Sequence, residues 1–294
     1  MRRRVATQAL IVTADDFGLS IPVNEAVERA HTGGILTAAS LLVGAPSAMD
    51  AVERARRLPA LGVGLHVNLV EGWPALPPDR VPGLIGPDGR FSDKPVSFGI
   101  RLFFSKRLQH QAEAEIAAQF ERFAATGLPL DHVNGHQHFH IHPTVASIIT
   151  KLAPRYGHPP VRVPREPFIQ SYRAMRDRPL RRLASWIFFL TQTYQLRHSL
   201  RRANLSFNDH VFGLNDTGAM IERRLLQFLD HVPAGVSEFY CHPATRRWNG
   251  PDNLPADYRV TEELDALVSA RVKRKVQLSG IATGSYRDVF PLAV

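Results

Sequence analysis

The 294-residue sequence predicts an α/β fold of parallel strands, either a (β/α) barrel or an open doubly wound sheet. Two observations carry that expectation. Short apolar runs of strand character alternate with segments of helical periodicity along the whole chain, and no internal repeat interrupts them. The side chains best suited to chemistry, at 15–16, 66, 136 and 242, fall at or near the C-terminal ends of the expected strands, and in a barrel those ends converge on one face. With 44% hydrophobic residues the chain can bury a sizeable core, and we expect residues 1–294 to form one domain.

The first strand is the apolar run Ala9-Leu10-Ile11-Val12, which leads into the adjacent carboxylates Asp15 and Asp16 and then Phe17-Gly18. Ser20-Ile21-Pro22 opens a helix with proline in its first turn, and Gly33-Gly34 closes it. Leu36 to Val43 reads as the second strand, Ser47 to Leu58 as a capped helix, and Leu61 to Leu69 as the third strand, carrying His66. Glu71 to Pro95 holds six prolines and four glycines in 25 residues, too many for a regular element. A long loop beside His66 suits a lid or a substrate loop. Arg101 to Thr126 reads as one long helix ended by Gly127, Asp131 to Asn134 as a short strand, Thr144 to Tyr156 as a helix and Val161 to Val163 as a strand stub. Beyond a basic segment, Thr217 to His231 and Thr261 to Val272 read as helices, and Val236 to Cys241 and Val276 to Leu278 as strands.

Composition removes several classes. A single cysteine, Cys241, excludes a disulfide framework and a cysteine-rich zinc module. The basic start, Arg2-Arg3-Arg4, precedes an apolar run too short for a signal peptide and is read as a tail before the first strand. No run reaches the roughly 18 apolar residues of a spanning helix. The net charge of +9 is local: Arg165 to Arg202 holds nine arginines against Glu166 and Asp177, so this segment carries +7 and the rest of the chain +2. That points to one basic surface.

Two acids side by side at a strand end repel each other and need compensation, which a cation supplies best. Downstream stand His66 and the alternating His136, His138, His140 and His142. Extended, those four would point to one side; helical, they would scatter. Four ligands to one ion from so short a run strain any geometry, so one or two are expected to ligate and the others to support them. A carboxylate with two imidazoles suits a divalent metal with open positions, zinc more readily than the oxygen-preferring magnesium. The expectation is a metal-dependent hydrolase.

The combination Thr13-Ala14-Asp15-Asp16-Phe17-Gly18-Leu19-Ser20, Gly64-Leu65-His66-Val67-Asn68-Leu69, Asn134-Gly135-His136-Gln137-His138-Phe139-His140 and Cys241-His242-Pro243 resembles the YdjC/ChbG family of carbohydrate deacetylases, in order and over nearly the whole chain. The resemblance implies a distorted (β/α) barrel like that of the polysaccharide deacetylases, and removal of N-acetyl groups from sugars with one divalent metal ion, zinc or magnesium. It makes Asp16, His66 and His136 the metal ligands, Asp15 the general base and His242 the candidate general acid, with Asn134 and His138 as substrate-contacting groups. Thr13 stands where many members have Asn, and Asn134 where many have Asp.

Within the basic segment, Leu180, Leu183, Ile187, Leu190 and Tyr194 recur at helical spacing, with arginines at both ends. A core helix would account for the stripe but not for the arginines. A basic amphipathic helical insertion over 165–207 suits an anionic membrane surface or a lipid-bearing substrate. No recognised nucleic-acid module accompanies it, so no nucleic-acid partner is expected. Arg181-Arg182-Leu183-Ala184-Ser185 and Phe212 to Met220 resemble the hopanoid-associated (HpnK) branch of the family. That resemblance implies an N-acetylglucosaminyl glycolipid substrate; with the single cysteine and the basic helix, a cytoplasmic protein peripheral to the inner face of the membrane is expected. The competing readings are a soluble oligosaccharide deacetylase, a phosphate- or ester-cleaving metal hydrolase, and a non-catalytic lipid- or carbohydrate-binding protein on the same scaffold.

Overall fold

Strands separated by crossover helices pair in parallel, and the computed structural model, which describes residues 8–249 and 254–291, shows every strand pair parallel. The basic start Arg2 to Arg4 lies outside the described residues. The elements run β1 (Gln8–Phe17), α1 (Ile21–Gly33), β2 (Ala38–Leu41), α2 (Ala48–Arg56), β3 (Gly62–Val67), α3 (Pro95–Phe104), α4 (Lys106–Ala125), β4 (Leu130–Gly135), α5 (Pro143–Leu152) and α6 (Phe168–Met175). They continue with α7 (Pro179–Arg202), β5 (His210–Phe212), α8 (Glu222–Leu229), β6 (Gly235–Cys241), α9 (Val260–Val268), α10 (Ala270–Leu278), β7 (Ala282–Thr283) and α11 (Tyr286–Val289).

The sheet is ordered β4-β3-β2-β1-β6-β5, with β7 beside the start of β1. Residues 160–165, the expected strand stub, join its two edges. Arg162 N donates to Val133 O on the β4 side, and Val211 N donates to Arg165 O on the β5 side. Of the two architectures the sequence allowed, the chain therefore adopts the curled, distorted barrel.

Alternation along β1 separates two environments. Leu10, Val12 and Ala14 pack with the helices in the main core, whereas Ala9 and Ile11 join Ala38, Val236 and Tyr286 in a small inner cluster. Beyond that apolar floor the interior is polar. Thr13 Oγ1 and Tyr286 Oη each donate to Glu238 at 2.6 Å, and the His132 ring lies 3.0 Å from Ser40 Oγ and 2.8 Å from Asp131 Oδ2.

Several elements differ from expectation. The long helix from Arg101 breaks at Ser105, whose side chain accepts from Leu108 N and caps α4, so α3 begins at Pro95. The helix expected from Thr217 starts only at Glu222, because Gly213 and Gly218 take φ of 122° and 70° in the preceding turns. The strand expected at Val276 to Leu278 is overturned: those residues are the last turn of α10, which Ser269 caps through Arg271 N and Val272 N. Strand β5 was not anticipated, since three residues are too few to show a period.

The basic segment forms α6 and α7. Its nine arginines do not all reach the surface: Arg182 is buried among Glu166, Asp177 and Asp216. Conversely, Leu180, Leu183, Ile187, Leu190 and Tyr194 are exposed, so the stripe is not core. No helix among the described residues is long and apolar enough to cross a membrane.

Gly64 of β3 has no room for a side chain, because a Cβ there would stand 2.4 Å from the His132 ring. That ring is pinned by Ser40 and Asp131 and stacked on Tyr286 at 4.7 Å. Gly64→Ala is expected to destabilise the protein by about 1–3 kcal/mol, read as a lower urea midpoint. Gly33→Ala, which meets nothing within 4 Å, should leave the midpoint nearly unchanged.

Candidate metal centre and catalytic site

Neighbouring residues on a regular strand point to opposite faces, so Asp15 and Asp16 need a local device to act together. Between Ala14, paired with Ala39, and Phe17, paired with Leu41, β1 carries one extra residue. Asp16 takes φ 63°, a conformation aspartate tolerates better than most residues. This bulge re-aims the pair, and both carboxylates line the same cavity at the barrel mouth.

Asp15 is held from below by Arg162, whose Nη1 donates to Oδ2 at 2.6 Å and Nη2 to Oδ1 at 3.0 Å. The same guanidinium donates to both oxygens of Glu238, at 2.9 and 2.6 Å, and lies 5.1 Å over the Tyr240 ring. Burial alone would push the Asp15 carboxyl up, but Arg162, then His66 and His242, hold it far below the usual carboxylate range.

Asp16 faces the imidazoles. Its Oδ1 lies 2.9 Å from His136 Nδ1 and 3.4 Å from His66 Nε2, and its Oδ2 lies 4.0 Å from His242 Nε2. Among the described residues, donor atoms of Asp16, His66 and His136 fall within 4.8 Å of one another. Burial opposes ionisation of Asp16, and His136 outweighs it, so the carboxyl stays well below its ordinary range. At His136 burial likewise opposes the charge, while Asp16 and Glu71 lift the pKa to about 10. The cluster therefore draws positive charge. Asp16 Oδ2 is buried with no hydrogen-bond partner, and that orphaned oxygen beside two imidazoles fits a divalent cation, held by Asp16, His66 and His136.

The histidine run takes the scattering alternative. Residues 136–141 form a 3₁₀ turn in which Gln137 and His138 have φ 49° and 55°. His136 reaches Asp16. His138 Nε2 lies 3.2 Å from Tyr240 Oη, which in turn lies 2.6 Å from Thr217 Oγ1, and all three side chains border the cavity. His140 Nε2 bonds Arg162 O at 2.9 Å and His142 Nε2 bonds Gly99 O at 3.0 Å, so these two rings tie the turn to its neighbours. Asn134 is fully buried beneath the site. Its amide meets His66 Nδ1 at 2.6 Å and Ser40 Oγ at 2.8 Å, which places it behind a candidate ligand rather than in the cavity. His242 borders the cavity, with its backbone N donating to the buried Glu263 at 2.5 Å. Burial holds its imidazole below the histidine range despite Asp16 and Asp15.

Two contributors escaped the sequence reading. Arg162 stands in the Val-Arg-Val stub, and a charge inside an apolar strand was the available signal that it is paired. Glu71 starts the proline-rich loop at φ 58°, its carboxylate 3.2 Å from His136 Nε2 and 2.5 Å from Gln137 Nε2; nothing in its neighbourhood announced that contact. The loop from 71 to 95 forms one wall of the cavity, which measures about 1000 Å³, through Trp73, Arg90 and Lys94 among others.

The fold and the site together define a class: curled parallel α/β barrels with an aspartate and two histidines gathered at the strand ends. The chain belongs to the family of YdjC-like proteins, whose family model matches residues 9–278. It is 39% identical over 283 residues to a carbohydrate deacetylase from Geobacillus stearothermophilus, covering 96% of this chain and 98% of that protein. A carbohydrate deacetylase from Brevibacillus brevis is 40% identical over 158 residues, a match that spans 53% of this chain and 59% of the relative. A crystal structure from Enterococcus faecalis V583, provisionally described as a cellobiose-phosphate cleavage protein, superposes with a TM-score of 0.74 at 23% identity, covering 97% and 99% of the two chains, and shows the shared fold.

The depressed pKa of Asp15 means its pairing stabilises the protein above the unfolded value of 3.8 and is lost as pH falls towards the folded value. Arg162→Met leaves Asp15 and Glu238 buried without their partner, and should cost about 3–5 kcal/mol at pH 7. Protonation relieves unpaired carboxylates, so urea titrations should show a smaller deficit at pH 4 than at pH 7.

Proposed function

We propose that the protein removes the acetyl group from an N-acetylglucosaminyl sugar by metal-dependent hydrolysis. The observation that carries this reading is the pairing of two differently held carboxylates: Asp16, with its unbonded Oδ2 among imidazoles, and Asp15, locked ionised by Arg162. The full-length similarity to a carbohydrate deacetylase supports the same chemistry.

In this reading Asp16, His66 and His136 hold the ion. A divalent cation bound there supplies Lewis acidity, lowering the pKa of a water and polarising the amide carbonyl. Asp15 accepts the water's proton as the oxygen attacks the acetyl carbon. Because Arg162 makes Asp15 a weak base, the proton moves on from it to His242. His242 delivers it to the amine nitrogen as the C–N bond breaks, leaving Asp15 ionised and His242 without the extra proton, as both began. The products are acetate and the free amino sugar. Asn134 positions His66, and His138 with Tyr240 contacts the sugar.

The substrate we favour is the sugar headgroup of a hopanoid glycolipid. The support is α7, whose exposed Leu180 and Tyr194 suit contact with a lipid-bearing substrate on an anionic membrane surface better than with water.

Purified protein offered N-acetylglucosamine oligosaccharides and glycolipids should release free amine and acetate, lose that activity to a chelator, and regain it with zinc or magnesium. Asp15→Asn should lower turnover at least about a hundredfold while elemental analysis finds the metal content unchanged; a near-normal rate would sink the base assignment. Phosphate or ester cleavage without amine release would favour a different hydrolase, and sugar binding without products a non-catalytic protein.

A further inference from the structure

Two helices at the cavity mouth turn apolar side chains outward. At the start of α7 the usual polarity is reversed, since Arg182 is 1% exposed and Leu180 81%; Phe188 and Tyr194 are 63% and 70% exposed, while Leu196 and Leu200 further along are buried. On α3, Phe98 and Leu102 are buried, while Val96 and Phe104 are 76% and 79% exposed and Ile100 and Phe103 are also open. Both helices pack on the histidine turn. Phe98 of α3 stacks on Phe139 with ring centres 5.5 Å apart, and Phe189 of α7 meets His138 edge-on at 6.3 Å. Phe98 and Phe189 also line the cavity. Both helices therefore flank the cavity, and each carries exposed large apolar side chains of the kind that mark a contact site.

Charge says what kind of contact. Exposed Lys94, Arg101, Lys106 and Arg107 accompany α3, and exposed Arg173, Arg176 and Arg181 accompany the start of α7. A second copy of the chain would bring these like charges together. An anionic lipid surface would pair with them while the apolar side chains enter between headgroups.

We propose that α3 and α7 form a two-helix docking surface that seats the cavity mouth on an anionic lipid bilayer. A sugar carried on a lipid would then reach the site from the membrane plane, between the helices. This deepens the glycolipid reading and rests on it.

Vesicles of phosphatidylcholine with and without phosphatidylglycerol test the surface by co-sedimentation. Binding should require phosphatidylglycerol, weaken with salt, and fall about tenfold or more for Ile100→Ser/Phe104→Ser and separately for Ile187→Ser/Phe188→Ser. Both variants should keep the parent's far-ultraviolet circular dichroism and its rate on soluble N-acetylated oligosaccharide. Loss of vesicle binding in the α7 pair alone refutes the two-helix surface and leaves the α7 contact standing. Absence of vesicle binding in the parent refutes membrane docking as a whole, and a dimer mass by light scattering that either pair abolishes assigns the face to self-association instead. Failure to deacetylate the soluble sugar in the parent is a separate result, against the enzymatic reading.

Discussion

Two carboxylates adjacent in the chain and buried at the end of one strand repel each other, and the rest of this structure answers that repulsion. Each acid receives its own positive partner from a different direction. Asp15 is clasped from within the barrel by Arg162, and Asp16 is faced by imidazoles at the mouth. The bulge in β1 permits this split, since without it one side chain would point into the helical layer. The two acids thereby acquire different surroundings, one gripped by Arg162 and one with an oxygen still unbonded.

Much of this was legible because strand ends in a parallel barrel converge on one face whatever the intervening sequence. Asp16, His66 and His136 could be grouped from that rule and from residue type. What could not be read was what depends on backbone detail. The register shift that turns Asp15 and Asp16 to one side has no sequence period, and the left-handed residues that fold the histidine run into a turn are glutamine and histidine rather than glycine. Arg162 was visible as a charge in an apolar stub, but its partners lie 147 and 76 residues away. The strand expected at Val276 to Leu278 failed for the opposite reason: a short apolar alternation is compatible with a helix end, and the cap at Ser269 decided it.

The basic segment shows how composition misleads when burial is unknown. Counting arginines implies a uniformly cationic surface, yet Arg182 is spent inside on Glu166, Asp177 and Asp216, anchoring the start of α7. With that anchor inside, Leu180, Leu183 and Ile187 face outward, while Leu196 and Leu200 at the far end of the helix stay buried. The polarity of the start of α7 thus follows from an ion cluster, and that of its end from hydrophobic periodicity.

The segment 160–165 bridges the barrel's two edges and also delivers Arg162 to Asp15. Closure of the wall and pairing of the acid are consequently one equilibrium. A molecule whose seam is unzipped, whether nascent or thermally frayed, loses the guanidinium together with the stave, and its aspartate reverts to an ordinary protonatable group.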